Sequence, residues 1–113
     1  MTGPSEPDAA EAQLREQVRA LGEKFLIRTA GQIVTLREHL ARLRGGDPGA
    51  LTGIQELTHK IHGSGAMFGF ATLSEAAGEI ERLTVSASGS EVADRLDTLI
   101  EQLATALDAT RGG

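Results

Sequence analysis

The chain has no cysteine, no tryptophan and no tyrosine, and only three phenylalanines among its 113 residues. Without cysteine there is neither a disulfide framework nor a thiolate zinc site. With so few aromatics the core must be built from Leu, Ile, Val and Ala, and no alternating β-branched run exists from which a sheet could be made. Proline is nearly as scarce, with three residues, two of them Pro4 and Pro7. Positive charge is in deficit: 11 Lys and Arg against 16 Asp and Glu leave a net charge of -5. That balance supplies no basic stripe and excludes a nucleic-acid partner. No basic leader precedes an apolar run, and no run is long enough for a signal sequence or a membrane span, so a cytoplasmic, membrane-free location is expected.

What remains is ordinary globular material, 40% apolar and 24% charged, in a length that holds one core and not two. Residues 1–7 and 110–113 read as flexible termini, and residues 8–109 as a single helical domain. A start at Met1 followed by an acidic, Pro-containing lead fits a free-standing protein.

Punctuation divides the domain. Asp8 caps a first segment carrying Leu14, Val18 and Leu21 at helical spacing, and Gly22 ends or bends it. A second segment with Phe25, Leu26, Ile33, Leu36, Leu40 and Leu43 in register stops at Gly45 and Gly46. These two segments fit separate helices or one bent helix. Asp47 before Pro48 marks the N-cap of a third helix, which ends near Gly69. Thr72 and Glu75 form a capping box that opens a fourth, with Leu73, Ala76, Ala77, Ile80 and Leu83 on one face. After a turn at residues 86–89, a last helix starting near Ser88 or Ser90 carries Val92, Leu96, Leu99, Ile100, Leu103 and Leu107. The expected fold is all-α: an antiparallel up-and-down four-helix bundle with an additional short N-terminal helix packed as a cap. The amphipathic faces are accounted for by one bundle, so a monomer is expected.

The third helix carries the chemistry. At about 100° per residue, Leu51, Ile54, Leu57, Thr58, Ile61, Gly65 and Phe68 occupy one arc. His59 lies roughly 160° from the centre of that arc, among Thr52, Gln55, Glu56, Gly63 and Ala66, with His62 on the flank. Gly63 faces outward in a helix interior, where glycine costs about 1 kcal/mol relative to alanine. Packing gives no reason for it. A bare backbone beside a reachable imidazole suits another protein's cleft closing over His59.

The run from His59 to Phe70 (HKIHGSGAMFGF), followed by Leu73 and Ile80-Glu81, resembles the signature of histidine-containing phosphotransfer (HPt) domains of two-component phosphorelays. The resemblance implies that His59 is a phosphoacceptor, that Gly63 leaves room for the partner, and that Ser64 helps fix the helix. It implies a phosphocarrier without autokinase activity, serving receiver domains and a hybrid histidine kinase, with the partner receiver supplying Mg2+. The sequence departs from the family at His62, where a lysine is usual; a histidine there carries a weaker or pH-dependent charge.

Neutral imidazole attacks phosphorus through one nitrogen while the other holds the proton, and Gln55 and Glu56 are the candidates to accept from Nδ1. Thr52, Gly63 and Ala66 are the candidate docking positions, and no cofactor or metal is assigned to the chain itself. Other readings carry less. Glu56, His59 and His62 make a weak metal site on one exposed helix. His39 reads as a solvated residue, Met67 and Phe68 as core or turn packing, and Gly65 and Gly69 as aids to close packing. Asp94, Arg95, Asp97 and Glu101 read as a solvated face. A non-catalytic helical adaptor using the same surface is the alternative function. A small hydrolase built on Glu56 and His59 lacks a nucleophile and oxyanion donors.

Overall fold

The computed structural model describes residues 8–86 and 91–112. Four helices follow in order: α1 (Ala9–Arg44), α2 (Gly49–Met67), α3 (Ala71–Ser86) and α4 (Glu91–Gly112). Each helix packs closely on its two neighbours in the ring, which is the square antiparallel bundle expected from short links.

The additional N-terminal helix is not a separate element. α1 runs unbroken through Gly22 for 36 residues, about 54 Å at 1.5 Å per residue. Gly22 is buried, and a Cβ there would lie 3.4 Å from the Phe70 ring and 3.6 Å from Phe68. The local cost of a helical glycine is about 1 kcal/mol, a small sum against seating two aromatic rings on the bare backbone. Phe25, Phe68 and Phe70 then gather at that end of the bundle, the Phe25 ring stacked 5.5 Å from Phe68 and 6.1 Å from Phe70. Residues 9–21 extend beyond the bundle, so the molecule measures 69 × 22 × 22 Å.

The helix ends follow capping chemistry in most places. The Asp8 carboxylate accepts from the Glu11 N–H at 2.8 Å, and the Asp47 carboxylate accepts from the Gly49 N–H at 3.0 Å. α1 and α2 each close in a Schellman motif: Gly46 at φ 97° and Gly69 at φ 79° take the left-handed residue, and the Asp47 and Phe70 N–H groups reach back to the Arg42 and Gly65 carbonyls. Gly69 therefore serves a turn rather than close packing. The Thr72 capping box does not form, because α3 starts two residues earlier than an N-cap at Thr72 requires: Thr72 lies inside the first turn, and the Phe70 carbonyl accepts from the Ser74 N–H at 2.9 Å.

At the other end of the chain, α4 continues through Thr110 to Gly112, where a frayed terminus was expected; Thr110 is half-buried and donates to the Ala106 carbonyl at 2.7 Å. The expected flexible segment 1–7 and most of the turn at 86–89, with the start of the last helix, lie outside the described residues.

Leu36, Ile54, Ile61, Leu73, Ile80, Leu96, Ile100 and Leu103 form the fully buried centre. The buried hydroxyls of Thr29 and Thr58 donate to the Phe25 and Ile54 carbonyls, both at 2.8 Å, and among the described residues no buried side-chain polar atom lacks a partner. The acidic residues of α4 are not merely solvated. Arg44 bonds Asp94 at 2.8 Å and lies 3.6 Å from Asp97, and Arg37 bonds Glu101 at 2.8 Å, exposed links worth at most about 1 kcal/mol each. Among the described residues no helix is long and apolar enough to cross a membrane.

Ile61→Ala, which empties a fully buried site on the inner face of α2, is expected to lower stability by about 2–5 kcal/mol, against a change within about 0.5 kcal/mol for the exposed Val34→Ala. Urea unfolding followed by circular dichroism measures both.

Candidate phosphotransfer site

α2 buries Ala50, Ile54, Thr58, Ile61 and Gly65, the arc its apolar spacing defines, with Leu51, Leu57 and Phe68 half-buried at its edges. The opposite side is left in solvent. Thr52, Glu56, His59, Gly63 and Ala66 are exposed and Gln55 is half-buried. A Cβ built on Gly63 would meet nothing within 4 Å, so this stretch of backbone is open to an approaching surface. Thr52, Gln55, Glu56 and His59, with Glu81 from α3, line a shallow depression.

The orientation of His59 comes from α3. Its Nδ1 lies 2.6 Å from Oε2 of Glu81, with the histidine side chain 72% exposed and the glutamate 23%. An ionised carboxylate can only accept, so in the neutral ring Nδ1 carries the proton and the lone pair is left on Nε2. This assigns to Glu81 the part expected of Gln55 or Glu56. A carboxylate one helical turn away on the same exposed face stays beside the imidazole, whereas one from the neighbouring helix meets it end-on.

His62 is held just as firmly, and differently. Its Nδ1 donates to the Ser74 carbonyl at 2.8 Å. The Ser74 hydroxyl donates back to the His62 carbonyl at 2.8 Å and lies 3.1 Å from Nδ1. The ring rests on Gly78, where a Cβ would come within 3.0 Å of Nδ1. Gly65 likewise admits Ser74, whose Cα would be 3.3 Å from an added Cβ, as its close-packing role requires. Ser64 contributes its backbone, the carbonyl accepting from Phe68 at 3.1 Å.

His59 and His62 thus direct their Nδ1 atoms to separate partners on α3, and Glu56, His59 and His62 do not converge on a common point. Among the described residues no group of three or more His, Asp or Glu side chains is arranged to hold a metal ion. His39 is half-buried rather than solvated: its ring covers Gly53, where an added Cβ would lie 2.9 Å away, and Arg42 donates to its Nδ1 at 2.5 Å. Met67 is 75% exposed and belongs to the outer face, not the core.

Glu81, Ser74 and Gly78 were not recognisable as site residues from helical periodicity alone. The available signal was their spacing of four and three along α3, a row next to the core stripe that a second helix could use.

The tautomer is directly checkable. Long-range 1H–15N correlation spectra of the neutral protein are expected to show His59 protonated at Nδ1 and bare at Nε2, and Glu81→Ala is expected to move the ring toward the Nε2-protonated form. A His59 ring already protonated at Nε2 in the unaltered protein contradicts the Glu81 bond.

Comparison with protein-family models matches the Hpt domain over residues 20–111, which takes in nearly all of the bundle and leaves out most of the protruding part of α1. Comparison with curated proteins and with solved structures finds no match. A match of that extent, on a bundle of the expected architecture, makes the chain a member of the Hpt family, whose domains serve histidine phosphotransfer in two-component phosphorelays.

Proposed function

We propose that this protein is a phosphorelay intermediate that takes a phosphoryl group onto Nε2 of His59 from a receiver-domain aspartyl phosphate and gives it to another receiver. The observation carrying this reading is the His59–Glu81 bond at 2.6 Å on an otherwise open helix face. It leaves one nitrogen unprotonated, exposed and fixed in direction.

In the step proposed, the Nε2 lone pair attacks phosphorus in line with the bond to the aspartyl oxygen. The N–P bond forms as the O–P bond breaks, and the electron pair leaves with the receiver's carboxylate. No proton need move. The ring becomes cationic as the bond forms, and the Glu81 carboxylate at Nδ1 is placed to stabilise that charge. The same cationic ring is a good leaving group, so the reverse transfer to a second receiver is open. Mg2+ on the phosphoryl oxygens is assigned to the receiver, and the chain is taken to lack autokinase activity. Thr52, Gly63 and Ala66 are the proposed contact positions, with Gln55 and Glu56 bordering them. A hybrid histidine kinase is the proposed upstream source, and the cytoplasm, where receivers work, the proposed location.

The test is transfer of label from phosphorylated receiver domains, with Mg2+, to the protein and its variants. His59→Gln is expected to abolish acid-labile, base-stable labelling. Glu81→Ala is expected to slow single-turnover transfer by about ten- to a hundredfold with little change in receiver affinity, as loss of one positioned electrostatic group does. Receivers that bind yet label neither form favour the adaptor reading; label retained by His59→Gln moves the acceptor elsewhere.

A further inference from the structure

The surroundings of His59 are acidic. Glu56 and Glu81 line the depression beside it, with Thr52 and Gln55 as its neutral members, and a phosphoryl group would bring about two more negative charges near neutral pH. A docked receiver's Mg2+ can meet that charge, but a carrier standing alone has its own cations. On α2 and α3 the bases other than His59 are Lys60, His62 and Arg82. Lys60 lies about 160° around α2 from His62, and His62 is the one that reaches α3, so Lys60 is directed away from the groove between the two helices. His62 is held through Nδ1 by the Ser74 carbonyl.

Arg82 differs from both. On α3, Ile80 stands about 100° from Glu81 toward the core and is fully buried, and Arg82 stands about 100° the other way and is exposed. Its side chain bends back toward α2: Nη1 lies 3.3 Å from where a Gly78 Cβ would be, and Nδ1 of His62 lies 3.0 Å from the same point. Gly78, bare of a side chain, leaves room for both. It precedes Glu81 by one turn, so the guanidinium is about 4.5 Å along α3 from the level of the His59–Glu81 bond, on the solvent side. Glu79 and Arg95 share a depression on its far flank, yet Arg82 makes no ion pair among the described residues.

We infer that Arg82 binds the phosphoryl oxygens once the group is on Nε2 of His59, an inference that rests on His59 being the acceptor. The arm gives up no ion pair to do so, and a swing of about one helical turn along α3 brings it over Glu81. A planar guanidinium then offers two parallel N–H groups to the phosphoryl oxygens, a geometry that a point charge does not reproduce. Before phosphorylation the nearest carboxylate on that path, Glu81, is committed to the His59 ring. The contact therefore belongs to the phosphorylated state. Glu81 acts on the ring and Arg82 on the oxygens, where the family's usual lysine is replaced by the fixed imidazole of His62.

Phosphoramidate, a small donor that phosphorylates histidine without a receiver, tests this on the full chain. The 31P signal that is absent from His59→Gln identifies phospho-His59. In 1H–15N spectra the Arg82 Nε–H is expected to shift when the unaltered protein is phosphorylated and to stay in place in treated His59→Gln. In a 31P titration the second ionisation of the phosphoryl group is expected to move up by about 0.5 or more in Arg82→Ala, since losing a nearby cation favours the protonated form. Arg82→Lys is expected to retain most of the effect, and Lys60→Ala to change the midpoint less than Arg82→Ala does. Arg82 is exposed, so before phosphorylation Arg82→Ala is expected to match the unaltered protein in circular dichroism and in the His59 tautomer. An Arg82 signal indifferent to phospho-His59, a midpoint unmoved by Arg82→Ala or moved as far by Lys60→Ala, a tautomer altered before phosphorylation, or a His59 that resists the donor overturns the inference. Receiver transfer is read separately: an Arg82 that answers phospho-His59 in a protein no receiver labels rejects the relay reading and keeps this contact.

Discussion

The close approach of α3 to α2 governs the site. Three contacts mark the antiparallel register between the two helices: Gly65 with Ser74, His62 with Gly78, and His59 with Glu81. Each step of three residues back along α2 matches three or four forward along α3. The first two contacts are tight because a glycine on one helix admits a side chain or backbone from the other, and the mutual hydrogen bonds of His62 and Ser74 lock them. With the register fixed there, Glu81 comes level with His59. A slip of one turn would bring Gly78 or Val85 opposite the imidazole, and neither has a side chain that can accept a hydrogen bond from Nδ1.

How much of this was legible in the sequence depended on the range of the interaction. The buried arc of α2, and hence the exposure of His59 and Gly63, follows from spacing within one helix: Ile54, Thr58, Ile61 and Gly65 are buried as expected, with Leu51, Leu57 and Phe68 half-buried at the edges and Ala50 buried besides. The Asp8 and Asp47 caps are equally local. Gly22 misled because its cost is local while its compensation, the Phe68 and Phe70 rings, arrives from a turn more than forty residues away. Thr72 misled in a smaller way: once the Schellman turn at Gly69 sets the path of the chain, Phe70 takes the first helical carbonyl and leaves Thr72 no orphan N–H to cap. Glu81 was visible as part of the family pattern, but its bond to His59 depends on inter-helix register, which single-helix periodicity does not contain.

The exposed face is poor in protein groups, and that suits group transfer. Phosphoryl transfer requires positioning and charge stabilisation more than covalent assistance, and a carrier that enclosed its histidine would exclude the second macromolecule that must reach it. The chain therefore places its control behind the ring, at Nδ1, and leaves Nε2 bare. In the proposed transfer, stabilisation of the cationic ring by Glu81 would act on the imidazole and not on the phosphoryl oxygens, aiding formation of the N–P bond without adding a second binding site for the phosphoryl group.

His62 completes that arrangement by what it cannot do. A lysine at this position would be a mobile point charge on a flexible stem, free to follow the phosphoryl oxygens. The imidazole is instead pinned: Nδ1 is committed to the Ser74 carbonyl, the ring lies on Gly78, and the Arg82 guanidinium stands on the same side of α3, 3.3 Å from where a Gly78 Cβ would be. The contribution of His62 is thus first to the α2–α3 register, which in turn sets the distance from Glu81 to His59, and the group that stands where the family usually places a charge has become part of the clamp that aligns the proposed acceptor.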